Sequence, residues 1–221
     1  MNFHDVNVII EQGEGFKIEF KRRISSAEKI ARTIISFANT KGGTILFGVD
    51  DDGSVVGVES EKSEAELIEV AGRDFADPPI QPLINIVPFD GRDVIVCFIP
   101  ESTMKPHYFL GQPNGQNGED TRVYIRVNDN TMMASREVVK ILRNENPNAT
   151  ELTMAIGEHE RRLFKYLEQH RRITVREFGR LVNISDRRAS RILVQLVRAS
   201  VARIHTHEKD EYFTLAHEID Y

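Results

Sequence analysis

The sequence predicts two domains, a mixed α/β domain followed by a smaller helical domain that ends in a β-hairpin. Stretches with helical spacing of apolar residues alternate with strand-like stretches across residues 4–142. Asn and Pro residues in the segment 144–150 (NENPNAT) interrupt any helix there, and three amphipathic stretches and two alternating strands follow. We therefore predict domains over residues 1–143 and 154–217, joined by a linker over 144–153.

Local signals place the elements of the N-terminal domain. Ser25 and Glu28 have the spacing of a capping box and predict the start of a long amphipathic helix, which Gly42 and Gly43 end. The dipeptide Asp90-Gly91 predicts a tight hairpin turn. The predicted helices are 4–12, 62–75 and 134–142 besides the capped one, and the predicted strands are 16–21, 44–49, 55–58, 82–88, 93–99 and 122–127.

The C-terminal domain has the element order helix, helix, turn, helix and hairpin. Ser185 suits the N-cap of the third helix, and Asp186 suits the positive end of its dipole. The predicted helices are 158–169, 175–181 and 186–199, with a short extended piece at 173–174 and strands at 201–205 and 211–215. This order of elements resembles a winged helix-turn-helix.

A winged helix-turn-helix places its third helix in the DNA major groove and its hairpin against the backbone. Arginine is apt there because it forms paired hydrogen bonds with guanine O6 and N7. The candidate base contacts are Arg187, Arg188, Ser190 and Arg191, and the candidate phosphate contacts are Arg176, Arg180 and Lys209. The alternative is that these residues form a solvated basic face, or that the module serves dimerisation.

The distribution of charge favours a nucleic-acid partner for the second domain. The whole chain has a net charge of −5, and residues 1–150 have a net charge of −7. Residues 156–207, in contrast, carry 12 Lys and Arg against five Asp and Glu, a net charge of +7. A basic segment in an acidic chain is the electrostatic signature of a nucleic-acid-binding surface.

Several classes of protein are excluded or disfavoured. The one cysteine, Cys97, lies in the apolar run 94–99 and is expected to be buried, which leaves no intrachain disulfide and no cysteine-based zinc site. No apolar stretch reaches the ~18 residues of a membrane-spanning helix, and the N-terminus lacks the pattern of a signal peptide. We therefore expect a cytoplasmic protein without a membrane partner.

Three stretches of the N-terminal domain resemble the Schlafen-type (AlbA-like) domain of bacterial regulators and animal Schlafen proteins. They are residues 11–21 (EQGEGFKIEFK), residues 37–53 (FANTKGGTILFGVDDDG) and residues 124–131 (YIRVNDNT). Bacterial members often have Gly where Asn128 stands. The resemblance implies an α/β domain that binds nucleic acid or an effector.

Animal Schlafen ribonucleases are similar in a second respect. Their paired glutamates and the aspartate after the Gly-Val strand correspond to Glu14, Glu19 and Asp50. If these carboxylates converge, they could bind Mg²⁺ or Mn²⁺ and activate water for phosphodiester cleavage, with Lys21 on the phosphate. The competing interpretation is that Glu19 only pairs with Lys21 or Arg126.

The turn at Lys41, Gly42 and Gly43 suggests another anion site. Glycine permits positive φ and a close backbone approach, and exposed N–H groups beside Lys41 could hold a phosphate. The alternative is a helix-to-strand turn that requires glycine. No P-loop motif and no Ser/His/Asp or Cys/His constellation is present, and a metal site at His205 and His207 is disfavoured because no other ligand is near in sequence.

Together these features predict a DNA-binding transcriptional regulator that acts as a homodimer on paired half-sites. The N-terminal domain would bind an effector or add contacts to the nucleic-acid backbone through Lys17, Lys21, Arg22, Arg23, Lys41 and Arg126. The first alternative is a metal-dependent endonuclease acting on RNA or DNA through the Glu/Glu/Asp site, and it alone requires a cofactor. The second alternative is a protein-interaction scaffold.

Overall fold

The chain folds into two compact units, Met1–Ala134 and Ser135–Tyr221. The computed structural model describes residues 3–111, 122–147, 149, 152, 155–207 and 210–216. None of the described helices is long and apolar enough to cross a lipid bilayer.

The first unit is a mixed α/β domain, as the sequence predicts. Its helices are α1 (Phe3–Gln12), α2 (Ala27–Asn39) and α3 (Glu61–Asp74). Its strands are β1 (Ile18–Lys21), β2 (Gly43–Phe47), β3 (Ala76–Asp77), β4 (Leu83–Phe89), β5 (Arg92–Ile99), β6 (Tyr108–Phe109), β7 (Tyr124–Val127) and β8 (Asn130–Met133). The main sheet has the order β1-β2-β5-β4, and β3 pairs with β6 while β7 pairs with β8.

Both faces of the main sheet are buried. On one face, Ile45 and Cys97 pack in a cluster with Ile34 from the apolar stripe of α2. On the other face, Leu46 packs in a cluster with Val6 of α1. Burial raises the pKa of the Cys97 thiol to about 12, which fits the expected buried strand position.

The structure corrects two details of the predicted pattern in this unit. The side chain of Ser26, not Ser25, caps α2 by accepting a hydrogen bond from the Lys29 N–H at 3.3 Å. The predicted hairpin of residues 44–49 and 55–58 is reduced to one bridge between Val49 and Val55. β2 instead pairs in parallel with β1 and antiparallel with β5, because its residues are buried between those two strands.

The second unit contains four helices and a hairpin in its described part. The elements are α4 (Arg136–Glu145), α5 (Glu158–His170), α6 (Val175–Val182), α7 (Asp186–Arg198), β9 (Ala202–Thr206) and β10 (Glu211–Leu215). Ile173 forms an isolated antiparallel bridge with Phe213, so the connection between α5 and α6 runs along the hairpin. Leu163, Phe178, Leu193 and Phe213 are buried in one core.

Helix α4 lies in the second unit, whereas the sequence placed it in the first domain. The Ser135 hydroxyl caps α4 and donates a hydrogen bond of 2.6 Å to Glu211 of β10. Glu137 and Lys140 of α4 both contact Ser190 of α7. These polar contacts explain why the division falls before Ser135 rather than at residue 143.

Candidate nucleic-acid interface

The start of helix α7 presents three arginines to solvent. The Ser185 side chain caps the helix by accepting from the Arg188 N–H at 3.3 Å, as predicted. Arg187, Arg188 and Arg191 are exposed, and their guanidinium groups form no ion pair or hydrogen bond with any described residue. A cation without a protein partner is available to an external anion or base edge.

Ser190 does not belong to this exposed surface, contrary to the sequence interpretation. Its side chain is 3% exposed. Its hydroxyl donates to Glu137 at 2.6 Å and accepts from the Lys140 ammonium at 2.7 Å. Ser190 lies on the flank of α7 that α4 covers, and this packing of α4 has no local signal in the sequence.

The other predicted cations of the second unit have mixed outcomes. Arg176 and Arg180 are exposed on α6 and have no side-chain partner within the described part of the chain. Hydrogen bonds with Thr174 lower the pKa of Glu177, and the positive charge of Arg180 contributes to the same shift. Lys209 lies outside the described residues.

The three carboxylates of the predicted metal site each have a separate partner. Glu14 accepts a hydrogen bond from the Phe20 N–H at 2.8 Å, and Asp50 pairs with Arg22 at 2.5 Å. Glu19 pairs with both Lys21 and Arg126. Across the described ranges, no group of three or more His, Cys, Asp or Glu side chains is placed to hold a metal ion. The convergence that a Glu14/Glu19/Asp50 site requires is therefore not observed.

Arg126 is a buried structural residue and not a surface cation, so the structure corrects its predicted contact with nucleic acid. Its side chain is 1% exposed. It donates to Glu19 at 2.8 Å and to the Gly15 carbonyl at 2.8 Å, and its guanidinium lies 4.7 Å from the centre of the Phe37 ring. All four residues of β7 are buried, so the alternation in the sequence did not mark an outward face.

The glycine turn after α2 is shaped by the chain itself. Gly42 has φ +65°, and a Cβ there would lie 2.7 Å from the Glu101 nitrogen and 2.7 Å from the Ile99 carbonyl oxygen. A Cβ on Gly43 would lie 2.3 Å from the Phe37 ring. Lys41 is exposed and pairs with Glu101 at 3.2 Å. The glycines therefore serve a close backbone approach within the protein, and no phosphate cradle is needed to explain them.

Asn39 is a buried link between distant segments. Its amide donates to the carbonyls of His107 and Tyr124, both at 3.0 Å, and its oxygen accepts from the His107 N–H at 2.8 Å. Burial of an amide with all these bonds satisfied indicates a structural role.

The hairpin also has a polar face, to which the sequence interpretation assigned no role. Arg203 and His205 alternate along β9, His207 follows the strand at the same spacing, and Tyr212 on β10 pairs with His205. Arg172 extends over the Tyr212 ring at 5.4 Å. The period-2 spacing in β9 could have revealed this face, since alternate residues of a strand share one side of a sheet.

Comparison with known proteins identifies the first unit. Residues 14–135 match the model of the family described as Schlafen, AlbA_2. The chain belongs to the Schlafen AlbA_2 family. The matched AlbA_2 segment ends at the residue that caps α4, which agrees with the division between the two units. No curated protein matches the chain.

Two solved structures show limited similarity to this AlbA_2 protein. The DIP2311 protein from Corynebacterium diphtheriae is 18% identical with a TM-score of 0.45, and the match covers 69% of this chain and 33% of that one. The N-terminal domain of a RecG-related protein from Nitrosomonas europaea is 19% identical with a TM-score of 0.43, over 70% of this chain and 95% of that one. The match therefore spans about a third of the length of the DIP2311 protein.

Proposed function

We propose that this protein is a DNA-binding transcriptional regulator and that its C-terminal unit is a winged helix-turn-helix. The order α5, a bridging segment at Ile173, α6, α7 and the β9–β10 hairpin supports this assignment. The observation that carries the proposal is the unpartnered, exposed group of Arg187, Arg188 and Arg191 at the start of α7, as far as the structure is described. In such modules this part of the third helix meets the base edges in the major groove.

Each set of residues has a distinct task under this proposal. Arg187 and Arg191 are four residues apart on one face of α7, so both can reach the same groove. Paired hydrogen bonds from either guanidinium to guanine would supply sequence preference. Arg176 and Arg180 on α6 would bind phosphates and fix the orientation of the module without reading sequence.

The AlbA_2 domain is proposed to add backbone contacts or to bind an effector. Lys17, Arg23 and Lys41 remain exposed there, although Lys41 pairs with Glu101 and Arg23 approaches Glu59 at 3.8 Å. Arg126 leaves this set because it is buried. A homodimer would place two C-terminal units on paired half-sites and so raise affinity and specificity.

The geometry supports DNA binding over metal-dependent cleavage. A nuclease of the Glu/Glu/Asp type needs its carboxylates to converge on one ion. Here Glu14 accepts from a backbone N–H, while Glu19 and Asp50 are each neutralised by arginine. The interpretation of Glu19 as an ion-pair partner of Lys21 and Arg126 is the one that the structure supports.

The test compares two double variants of the full chain in binding to labelled duplex DNA at low ionic strength. Arg187→Gln/Arg191→Gln removes two unpartnered cations four residues apart on α7. Arg161→Gln/Lys165→Gln removes two exposed cations with the same spacing on α5 and is the matched control. We expect the α7 variant to lose about 100-fold in affinity, since each direct base or phosphate contact contributes ~1–3 kcal/mol.

The control variant should bind within about threefold of the unaltered protein, because it changes only the long-range field. Circular dichroism of both variants verifies that α7 still folds. Equal losses in the two variants would mean that the protein responds only to net charge, and the α7 interface would be rejected.

A further inference from the structure

The β9–β10 hairpin has one apolar and one basic side. Phe213 and Ala202 are buried in the core of the second unit. Arg203 and His205 alternate with the core-facing residues of β9, His207 follows the strand at the same spacing, and the register pairs His205 with Tyr212 of β10. These four side chains therefore share the outward side of the hairpin, which we call the histidine face.

Stacking fixes the side chains of the histidine face around one ring. The ring centres of His205 and Tyr212 are 5.0 Å apart, and those of His207 and Tyr212 are 5.7 Å apart. The Arg172 guanidinium approaches the same ring at 5.4 Å. The Nε2 atom of His205 lies 2.9 Å from the Thr214 hydroxyl. Two imidazoles and an arginine are thus held together rather than dispersed in solvent.

The acidic groups around the histidine face are engaged elsewhere or lie at its margin. Glu177 of α6 accepts from the Thr174 N–H at 2.8 Å, and Glu211 of β10 accepts from the Ser135 hydroxyl at 2.6 Å. Asp210 is exposed at the end of the hairpin, where its carbonyl accepts from the His207 N–H. Arg203 and Arg172 form no ion pair with a described residue.

The cations of this face repel one another. Burial, followed by repulsion from His207 and from Arg203, lowers the pKa of His205. Among the described contacts, no ion pair joins Glu177, Glu211 or Asp210 to His205 or His207, although the charge of Arg172 contributes to lowering the pKa of Glu177. A phosphate close to both rings would be attracted by Arg172 and Arg203 and would stabilise the imidazolium forms.

We propose that the histidine face binds a phosphate of the DNA backbone through protonated His205 and His207, so that DNA affinity rises as pH falls. This inference rests on the proposed DNA-binding function and adds a site and a pH dependence to it. A bound phosphate favours the charged form of an imidazole that lies beside it. Binding therefore takes up protons, and affinity is greater at pH 6 than at pH 8.

The expected change of DNA affinity with pH follows from the number of protons taken up on binding. Uptake of one proton changes affinity by at most about tenfold per pH unit, and two histidines set the upper limit at two protons. We expect about a tenfold gain in affinity between pH 8 and pH 6, well within that limit.

The experiment measures the dissociation constant of the full chain for a fluorescent duplex from pH 6 to pH 8 at constant ionic strength. The variant His205→Asn/His207→Asn removes both titrating rings. The variant His159→Asn/His170→Asn removes two histidines of α5 and is the matched control. We expect the control to keep the tenfold gain and the hairpin variant to lose it.

The outcomes separate this inference from the proposed function. Binding that does not change with pH overturns the histidine face and leaves the DNA-binding function intact. A pH dependence that persists in His205→Asn/His207→Asn also overturns it, because another group must then titrate. Absence of binding at both pH 6 and pH 8 overturns the function and the histidine face together.

Discussion

Replacement of Arg126 by Met tests whether this arginine supports the AlbA_2 domain or contacts nucleic acid. The substitution removes a guanidinium that is 1% exposed and donates to Glu19, to the Gly15 carbonyl and to Thr131. Loss of one partner of a buried ion pair costs about 3 to 5 kcal/mol. Glu19 keeps Lys21 as a partner and is 13% exposed, so the lower end of that range applies. We expect the free energy of unfolding to fall by about 3 kcal/mol.

The assay is urea unfolding of the full chain, monitored by circular dichroism. Hydrogen exchange of peptides from β1 and β7 shows where in the fold the stability is lost. Lys21→Met is the matched control, because Lys21 pairs with the same Glu19 but is 41% exposed, and it should cost less than about 1 kcal/mol. Arg126→Lys should remain destabilised, since one ammonium cannot reproduce the planar fork that reaches both Glu19 and Gly15.

The DNA affinity of the folded Arg126→Met protein should equal that of the unaltered chain. If Arg126→Met were as stable as the unaltered protein but bound DNA more weakly, the buried structural role of Arg126 would be refuted. Nucleic-acid contact by this side chain would then be restored as the better explanation.

Three other predictions follow from local geometry. Gly42→Ala should destabilise the protein by about 3 kcal/mol in thermal unfolding, because positive φ and a close backbone contact both oppose a Cβ, whereas Gly13→Ala, with positive φ and open space, should cost only about 1 kcal/mol. Ser190→Ala should lower the hydrogen-exchange protection of α4 and cost about 1 kcal/mol while leaving DNA affinity unchanged; a large loss of affinity would instead place Ser190 at the interface. Cys97 should resist iodoacetamide at pH 8 in the native protein and react once urea unfolds it, because burial raises the pKa of its thiol to about 12; fast labelling of the native chain would contradict that burial.

Elements with local signals could be predicted from the sequence. The Asp90-Gly91 turn between β4 and β5 has positive φ at both residues, as that dipeptide favours in a hairpin. Ser185 caps α7 as expected, and Thr174 forms a capping box with Glu177 at the start of α6. In each case the decisive interaction joins residues within a few positions of one another, so a short stretch of sequence contains the whole signal.

Features that depend on distant partners could not be predicted. β3 and β6 have two residues each, too few to show a period, and their pairing joins Ala76 to Phe109. Ser190 is a polar residue that the sequence pattern places on the solvent face of α7, and it is buried because α4 packs against it. Arg126 alternates with apolar neighbours as a surface residue would, yet Glu19 neutralises it within the fold. Burial of a charge is decided by its partner, which lies 107 residues away.

The salt dependence of DNA binding tests the central claim most directly. The dissociation constant of the full chain for duplex DNA is measured over a series of salt concentrations, and its logarithm is plotted against the logarithm of the salt concentration. Binding through arginines of α6 and α7 predicts a straight line with a slope of ~0.9 for each phosphate neutralised, hence about 2 or more. Absence of binding at the lowest salt concentration, or an affinity that does not change with salt, would contradict the assignment of the C-terminal unit as a DNA-binding module.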